Sequence, residues 1–360
     1  MVELIALCTA GLEAAPSFEI KKNGYKIINS SSGKVQFLAS LKDIPNIVTH
    51  FRTVDRILIK INEFKVNSFD ELYDNIFQTK WKDYIEKNGK VVVERVKITN
   101  SKLSATGAVA SVIKKAIYEN LKKSYKTNIW VENEIIYPLY IYLKNNKATI
   151  CLDTTYKDSL AKRGYRITHL PNSLRETIAA SMVILSKWNK DYTLIDPFCG
   201  SGTIPIEAAL YASNSILRKD YAFLQWKIFR DVNLSSVTVN NTSNYDIYGY
   251  DKNYKAIEIA KENAKRANVK VHFEKKNMES LEKSDDLIYF ISNLPYGIKV
   301  EDNIKDTYRK MRHLSRAFPN AKFFFITPED KFEEYFEKRA NKKFEFQNSG
   351  IWVWYYLFYE

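Results

Sequence analysis

Cysteine is scarce in this sequence: three in 360 residues, at Cys8, Cys151 and Cys199. Spread so widely, they form no disulfide framework, and a reducing, cytoplasmic setting is expected. The four histidines, His50, His169, His272 and His313, are scattered too, so ligand spacing gives no metal site. Long apolar runs are missing. The longest, IWVWYYLFY at 351–359, falls well short of the roughly 20 residues that cross a bilayer. No charged-then-apolar leader is expected, because Glu3 and Glu13 break the opening stretch. Acidic residues are also in deficit: 42 Asp and Glu face 55 Lys and Arg, a formal charge of +13. That excess favours a polyanionic partner through counterion release, nucleic acid first.

What is present divides the chain in two. From about residue 190, apolar strands alternate with amphipathic helices: YTLIDP, TIPIEAALYA, DIYGYD, KAIEIAKENAKRA, VKVHF, DLIYFISN, DTYRKMRHLSRAF, AKFFFIT and EDKFEEYFEKRA. Continuous apolar strands between helices imply a mostly parallel sheet covered on both faces. The closing KFEFQ and IWVWYYLFY, around Asn348-Ser349-Gly350, read as a hairpin that adds an antiparallel pair. The polar stretch LSSVTVNNTSNY at 234–245 reads as an exposed loop. The first 150 residues mix hairpins and helices, such as YKIINSSSGKVQFLA and ATGAVASVIKKAIYENLKKSY, and predict one or two small α+β sandwiches. The stretch 151–190 is expected to join the halves.

The chemistry concentrates in two turns. In DYTLIDPFCGSGTIPIEAAL (191–210) a strand runs into a Gly-rich turn and a helix. The Lys of a phosphate-binding P-loop is missing, and Pro205 stands where a third glycine of a dinucleotide motif would be. An acid at the strand end followed by glycines suits S-adenosylmethionine: Asp196 for its cationic amino group, backbone N–H groups for its carboxylate. On the switch-point rule the site lies beyond the carboxyl end of this strand. Asp251 ends the next strand and can take both ribose hydroxyls, or merely cap the helix after it. Asn277 follows the third strand, within reach of an adenine edge.

The fourth strand ends in ISNLPYG (291–297). The Asn293 side-chain carbonyl and the backbone carbonyl of Leu294 can accept both hydrogens of a planar NH₂ group, aiming its lone pair at a methyl sulfonium. Tyr296 can stack on the ring that carries the amine, a base taken out of its helix. A Pro turn with Gly297 at positive φ is the plainer alternative.

With DPFCGSGT and NLPYG in order, and with TAGLEAAP, FRTVDRILI, SFDELYDNIFQTKWKDYI, KRGYR and LRETIAA before them, the chain resembles the THUMP-containing class I RNA methyltransferases acting on the N2 of guanine. The resemblance covers nearly the whole chain. It implies a Rossmann-like domain over 191–360, a mostly parallel seven-stranded sheet with a terminal antiparallel hairpin. A ferredoxin-like subdomain (1–60), a THUMP RNA-binding domain (61–155) and a connecting segment (156–190) would precede it. The implied cofactor is S-adenosylmethionine, held by Glu176, Asp196, Pro197, Gly200, Gly202, Thr203, Asp251 and Asn277. The implied catalytic positions are Asn293, Pro295 and Tyr296. RNA contacts fall on Lys114, Lys115, Lys122, Lys123 and Lys126 of a basic helix, and on Arg163 and Arg166, which would otherwise pin the halves together. The implied partner is RNA: 23S rRNA first, the tRNA acceptor stem second. An adenine-N6 methyltransferase and a non-catalytic RNA-binding protein are the other readings. Leu294 stands where the family more often has a second Pro, and Asn277 where it more often has Asp.

Overall fold

Apolar residues recur with period two in KVQFLA, which forms a strand with alternate side chains buried, whereas VELIAL and KATICLD form strands with consecutive residues buried. The computed structural model describes residues 1–166, 173–216, 221–230, 232, 244–296 and 304–359. The inserted loop expected at 234–245 thus falls mostly outside the described residues, as does Gly297.

The first half runs β1 (Val2–Leu7), α1 (Ala14–Lys22), β2 (Lys26–Ser31), β3 (Lys34–Ala39), α2 (Ile44–His50), β4 (Arg56–Lys65), α3 (Phe69–Gln78), β5 (Lys90–Thr99), α4 (Thr106–Ser124), β6 (Ile136–Lys144) and β7 (Lys147–Asp153). Where the sequence suggests one or two sandwiches, there is one seven-stranded sheet, ordered β2-β3-β1-β4-β7-β6-β5. The reason is β4. Its first residues, Arg56–Ile59, pair with β1, and Leu58–Lys65 pair with β7 across a bulge between Lys60 and Asn62. A boundary at 60/61 therefore cuts a strand that both subdomains use. Helices α1–α4 cover one face through a core that includes Phe37, Ile59, Trp81, Ile113 and Ile141.

The second half runs α5 (Glu176–Leu185), β8 (Thr193–Asp196), α6 (Thr203–Ala212), β9 (Ile247–Asp251), α7 (Tyr254–Ala267), β10 (His272–Lys275), β11 (Ile288–Asn293), α8 (Ile304–Ala317), β12 (Lys322–Thr327), α9 (Phe332–Phe336), β13 (Lys342–Asn348) and β14 (Ile351–Phe358). The strands order β10-β9-β8-β11-β12-β14-β13, parallel through β12 and antiparallel in the hairpin. Ser349 and Gly350, both at positive φ, make the tight turn that a twisted hairpin prefers. Strand order reverses at β8, so a crevice opens at the carboxyl ends of β8 and β11. Helix α5, in the stretch expected to connect the halves, instead packs into the core of this second sheet through Ile178, Met182 and Val183.

Each half inserts a piece into the other. Leu12, from TAGLEAAP, sits in the second core. The chain turns there at Gly11, where a Cβ would lie 2.0 Å from the Glu345 carbonyl oxygen. In return, Tyr221, Phe223, Trp226 and Phe229 join the first core. Trp226 stacks on Tyr137 at 5.3 Å and donates its indole N–H to the Ile136 carbonyl. Between them lies a buried polar seam. The Glu19 carboxylate accepts the N–H groups of Arg52 and Thr53, and Arg52 donates to the Ser215 carbonyl. Arg163 belongs to this seam: its guanidinium, 1% exposed, donates to the Arg52 carbonyl and pairs with Glu207. A charge so enclosed and paired is closed to RNA in this arrangement, and of the two roles expected for Arg163 the structure places it in the pinning one.

Replacing Trp226 by Ala should lower stability by about 3–5 kcal/mol, the usual cost of emptying a large aromatic site. Guanidinium unfolding followed by circular dichroism measures it; a shift below about 1 kcal/mol would mean the insertion is peripheral.

Candidate active site

The carboxyl ends of β8, β9, β10 and β11 border a cleft of about 480 Å³, within the range of small-molecule sites. Asp196, Pro197, Gly200, Thr203, Asp251, Asn277, Asn293, Pro295 and Tyr296 all line it. Nine of the positions read from the sequence are thereby brought to one cleft. Gly202 and Glu176 are not among its lining residues.

Asp196 closes β8 and is 1% exposed. One of its oxygens accepts the Ser292 hydroxyl at 2.5 Å and the Phe198 N–H at 3.1 Å. Those bonds do not offset burial: desolvation, with Asp251 adding to it, raises the carboxyl to about 7. The site is thus poised to gain from a cation. Ser292 faces Asp196 because β8 and β11 are parallel neighbours. The strand run DLIYFISN gave no reason to single it out, since a lone Ser in an apolar strand carries no spacing signal.

Asp251 closes β9. Its two oxygens accept the N–H groups of Gly200 (3.0 Å) and Asn253 (2.8 Å). The helix after it is capped by Asn253, whose side chain accepts the Lys255 N–H. Asp251 therefore fastens the Gly-rich turn while its remaining lone pairs stay available for hydroxyl donors. Gly202 serves packing: at φ 81° it starts α6, and a Cβ would meet the Phe273 ring at 2.7 Å. Gly200 is different, with no atom within 4 Å of the place a Cβ would take.

Glu176 and Arg166 lie behind the wall. They pair at 3.0 Å, and Arg166 donates to the Leu174 carbonyl, so the pair fixes Ser173 and Leu174, which do line the cleft. Burial raises the Glu176 carboxyl despite Arg166. In this arrangement Glu176 and Arg166 engage each other, and neither is among the residues lining the cleft. Asn277 is exposed at the rim and donates to Glu279.

At the end of β11, Asn293 shares a wall with Tyr296. The Tyr296 hydroxyl accepts the Asn348 amide at 2.8 Å and is also hydrogen-bonded by Asn293. Its ring is buried in the second core. So placed, Tyr296 lines the cleft and holds Asn293 through its hydroxyl. The turn is held from behind: the Tyr308 hydroxyl donates to the Pro295 carbonyl at 2.9 Å and lies against Thr327. The sequence could not reveal Asn348 or Tyr308, since both reach the turn from distant elements.

On α4, Lys114 pairs with Glu132 and Lys115 with Glu119, while Lys123 lies over the Phe77 ring. Lys122 and Lys123 occupy the last turn, where positive charge favours the helix dipole. Among the described residues there is no His/Cys/Asp/Glu group arranged to hold a metal ion, and no helix is long and apolar enough to cross a membrane.

Family models match three successive stretches: the RlmL ferredoxin-like domain over 3–58, the THUMP domain over 66–153, and the RMKL-like methyltransferase domain over 163–353. The last covers more than half the chain. The protein belongs to the RMKL-like methyltransferase family. YpsC of Bacillus subtilis is 32% identical over 99% of this chain and 95% of its own. The tRNA (guanine(6)-N2)-methyltransferase of Methanocaldococcus jannaschii is 31% identical over 89% of each chain. SMU.472, solved in complex with SAH, superposes with a TM-score of 0.89 at 29% identity, covering 99% of this chain and 98% of that one. This RMKL-like chain is a methyltransferase whose donor is S-adenosylmethionine. The cleft fits that group: a buried, under-compensated carboxylate at Asp196, open backbone at Gly200, and a second carboxylate at Asp251.

A cation beside Asp196 binds best when the carboxyl is ionised. Donor affinity should therefore rise about tenfold between pH 6 and 8, as Asp196 loses its proton near 7, and then level off. Isothermal titration across that range reads it. Asp196→Asn should bind more weakly and with a flat profile; an unchanged profile would place the titrating group elsewhere.

Proposed function

We propose that this protein transfers the methyl group of S-adenosylmethionine to the exocyclic N2 of a guanine in structured RNA, 23S rRNA first. The observation that carries the reading is Asn293: an amide at the end of β11, oriented through Tyr296, on the wall of the cleft that Asp196 and Asp251 also line. Bound there, the donor supplies an electrophilic methyl on a sulfonium.

The rest falls to the chain's own groups. Asn293 and the Leu294 carbonyl would accept the two hydrogens of the target amine, drawing electron density onto nitrogen and directing its lone pair into the cleft. No strong base is needed at this step, because nitrogen loses its proton readily once methylated. Asp196 would hold the amino group of the donor and Asp251 its ribose hydroxyls, which would fix the donor before the base arrives. The matches to THUMP and ferredoxin-like models, with a charge of +13, support RNA as the substrate class. The M. jannaschii relative, named for a tRNA guanine, supports a tRNA acceptor-stem guanine as the second reading.

Labelled S-adenosylmethionine and RNA from cells lacking this gene should yield N2-methylguanosine after nucleoside digestion. Label in N6-methyladenosine would reject the guanine, and RNA binding without donor binding would reject the enzyme. Asn293→Ala should lower kcat at least about 100-fold while donor affinity stays within a few-fold. Asn348→Ala removes one hydrogen bond behind Tyr296 and should lower kcat about tenfold. Combined with Tyr296→Phe it should cost little more; full additivity would mean that Asn348 does not act through Tyr296.

A further inference from the structure

The first sheet has a second face. Helices cover the side bearing Phe37, Ile59 and Ile141, while Ile5, Leu58, Tyr140 and Cys151 form a small cluster on the other, with Leu7 and Tyr142 against it. This face curls. Lys34 on β3 and Tyr142 on β6 are separated by β1, β4 and β7, yet the Lys34 ammonium lies 3.1 Å from the Tyr142 ring centroid. Arg56 likewise lies over the Tyr140 ring.

The charges on this face are one-sided. Three of its carboxylates are engaged, Glu3 with Lys60, Glu63 with Lys60 and Lys147, and Asp153 with Arg56, which leaves Glu94, near Tyr140, as the further acid beside the remaining cations. Among the described residues, no ion pair takes up Lys34, Arg95, Lys97 or Lys144. Burial pushes the Lys34 ammonium down to about 8, and Lys97 and Lys144 act in the same direction, although Cys151 opposes them. Lys97 and Lys144 are exposed and near enough to repel it. By contrast, Lys114 and Lys115 of α4 have carboxylate partners on the same surface.

We propose that the basic rim of this curled face, centred on Lys34, Lys97 and Lys144, holds the phosphate backbone of the substrate RNA. Three cations held together, with no ion pair to any of them among the described residues, favour an anion. The inference rests on the reading of the protein as an RNA-modifying enzyme and names the surface that such an enzyme would use. A chain of bonds ties this sheet to the cleft wall. Lys34 pairs with Leu7, and the Leu7 carbonyl accepts the Asp55 N–H. The Asp55 carboxylate is in turn held by Thr177 and Arg175, next to the Ser173–Leu174 wall.

The test uses the full chain and fluorescein-labelled total tRNA, followed by anisotropy from 50 to 200 mM salt. Lys97→Gln with Lys144→Gln touches only exposed side chains, so the fold should survive, as circular dichroism and donor binding would verify. At 150 mM salt the pair should weaken binding at least about tenfold and reduce the slope of log Kd against log salt by roughly 2, one unit per lost phosphate contact. Unchanged affinity and slope would overturn the proposal, as would a larger loss from Lys114→Gln with Lys122→Gln on α4. Methyl transfer is read separately. A raised KM for RNA with kcat kept supports the face. If wild type methylates RNA and the open-face variant keeps its KM, the face falls and the enzyme stands. If wild type binds tRNA through these lysines but transfers no methyl to any RNA, the face stands and the enzyme reading falls.

Discussion

A carboxylate cut off from water is the constraint on which this molecule turns. Asp196 sits at the end of β8, in the middle of the second sheet, with two hydrogen bonds and, among the described residues, no cation paired with it. Burying a charge in that state is unfavourable, and the group responds by holding its proton to near neutral pH. The folded pKa lies above that of an exposed Asp, so stability from this group declines as pH rises from about 4 through 7. A bound ammonium reverses that loss. Folding thus stores in Asp196 a disadvantage that only a ligand of the right charge relieves, and the cleft's selectivity begins there.

The groups around Asp196 are supports one layer back. Ser292 holds Asp196, Asp251 holds the Gly200 turn, Arg166 with Glu176 holds Leu174, and Asn348 holds Tyr296 beside Asn293. Each comes from a different element, so the cleft keeps its shape only while both the sheet and its terminal hairpin are in register. That explains why a hairpin 50 residues beyond NLPYG bears on the same chemistry.

Legibility in the sequence followed locality. The elements of the second half were readable because a parallel sheet writes its strands as apolar runs and its helices as amphipathic ones, and α6 coincides with TIPIEAALYA. Turns that act through their own backbone, such as DPFCGSGT, could be placed from spacing alone. Side chains acting at a distance could not. Arg163 and Arg166 look from sequence like basic residues in a Gly turn, and only the fold shows them buried against Glu207 and Glu176. Nor does the sequence show that Asn348 reaches back to hold the Tyr296 hydroxyl. The continuous first sheet was hidden for a similar reason: a ten-residue strand, RILIKINEFK, does not announce that its two ends have different partners.

The exchanged pieces also order events during synthesis. Trp226 closes over Tyr137 and Ile136, and its indole bonds a carbonyl 90 residues earlier in the chain. At about 5–20 residues per second, that socket waits roughly 5–18 s for its plug. The nascent first half must therefore emerge with an aromatic hole in its flank, a transient sticky surface that only its own later sequence fills.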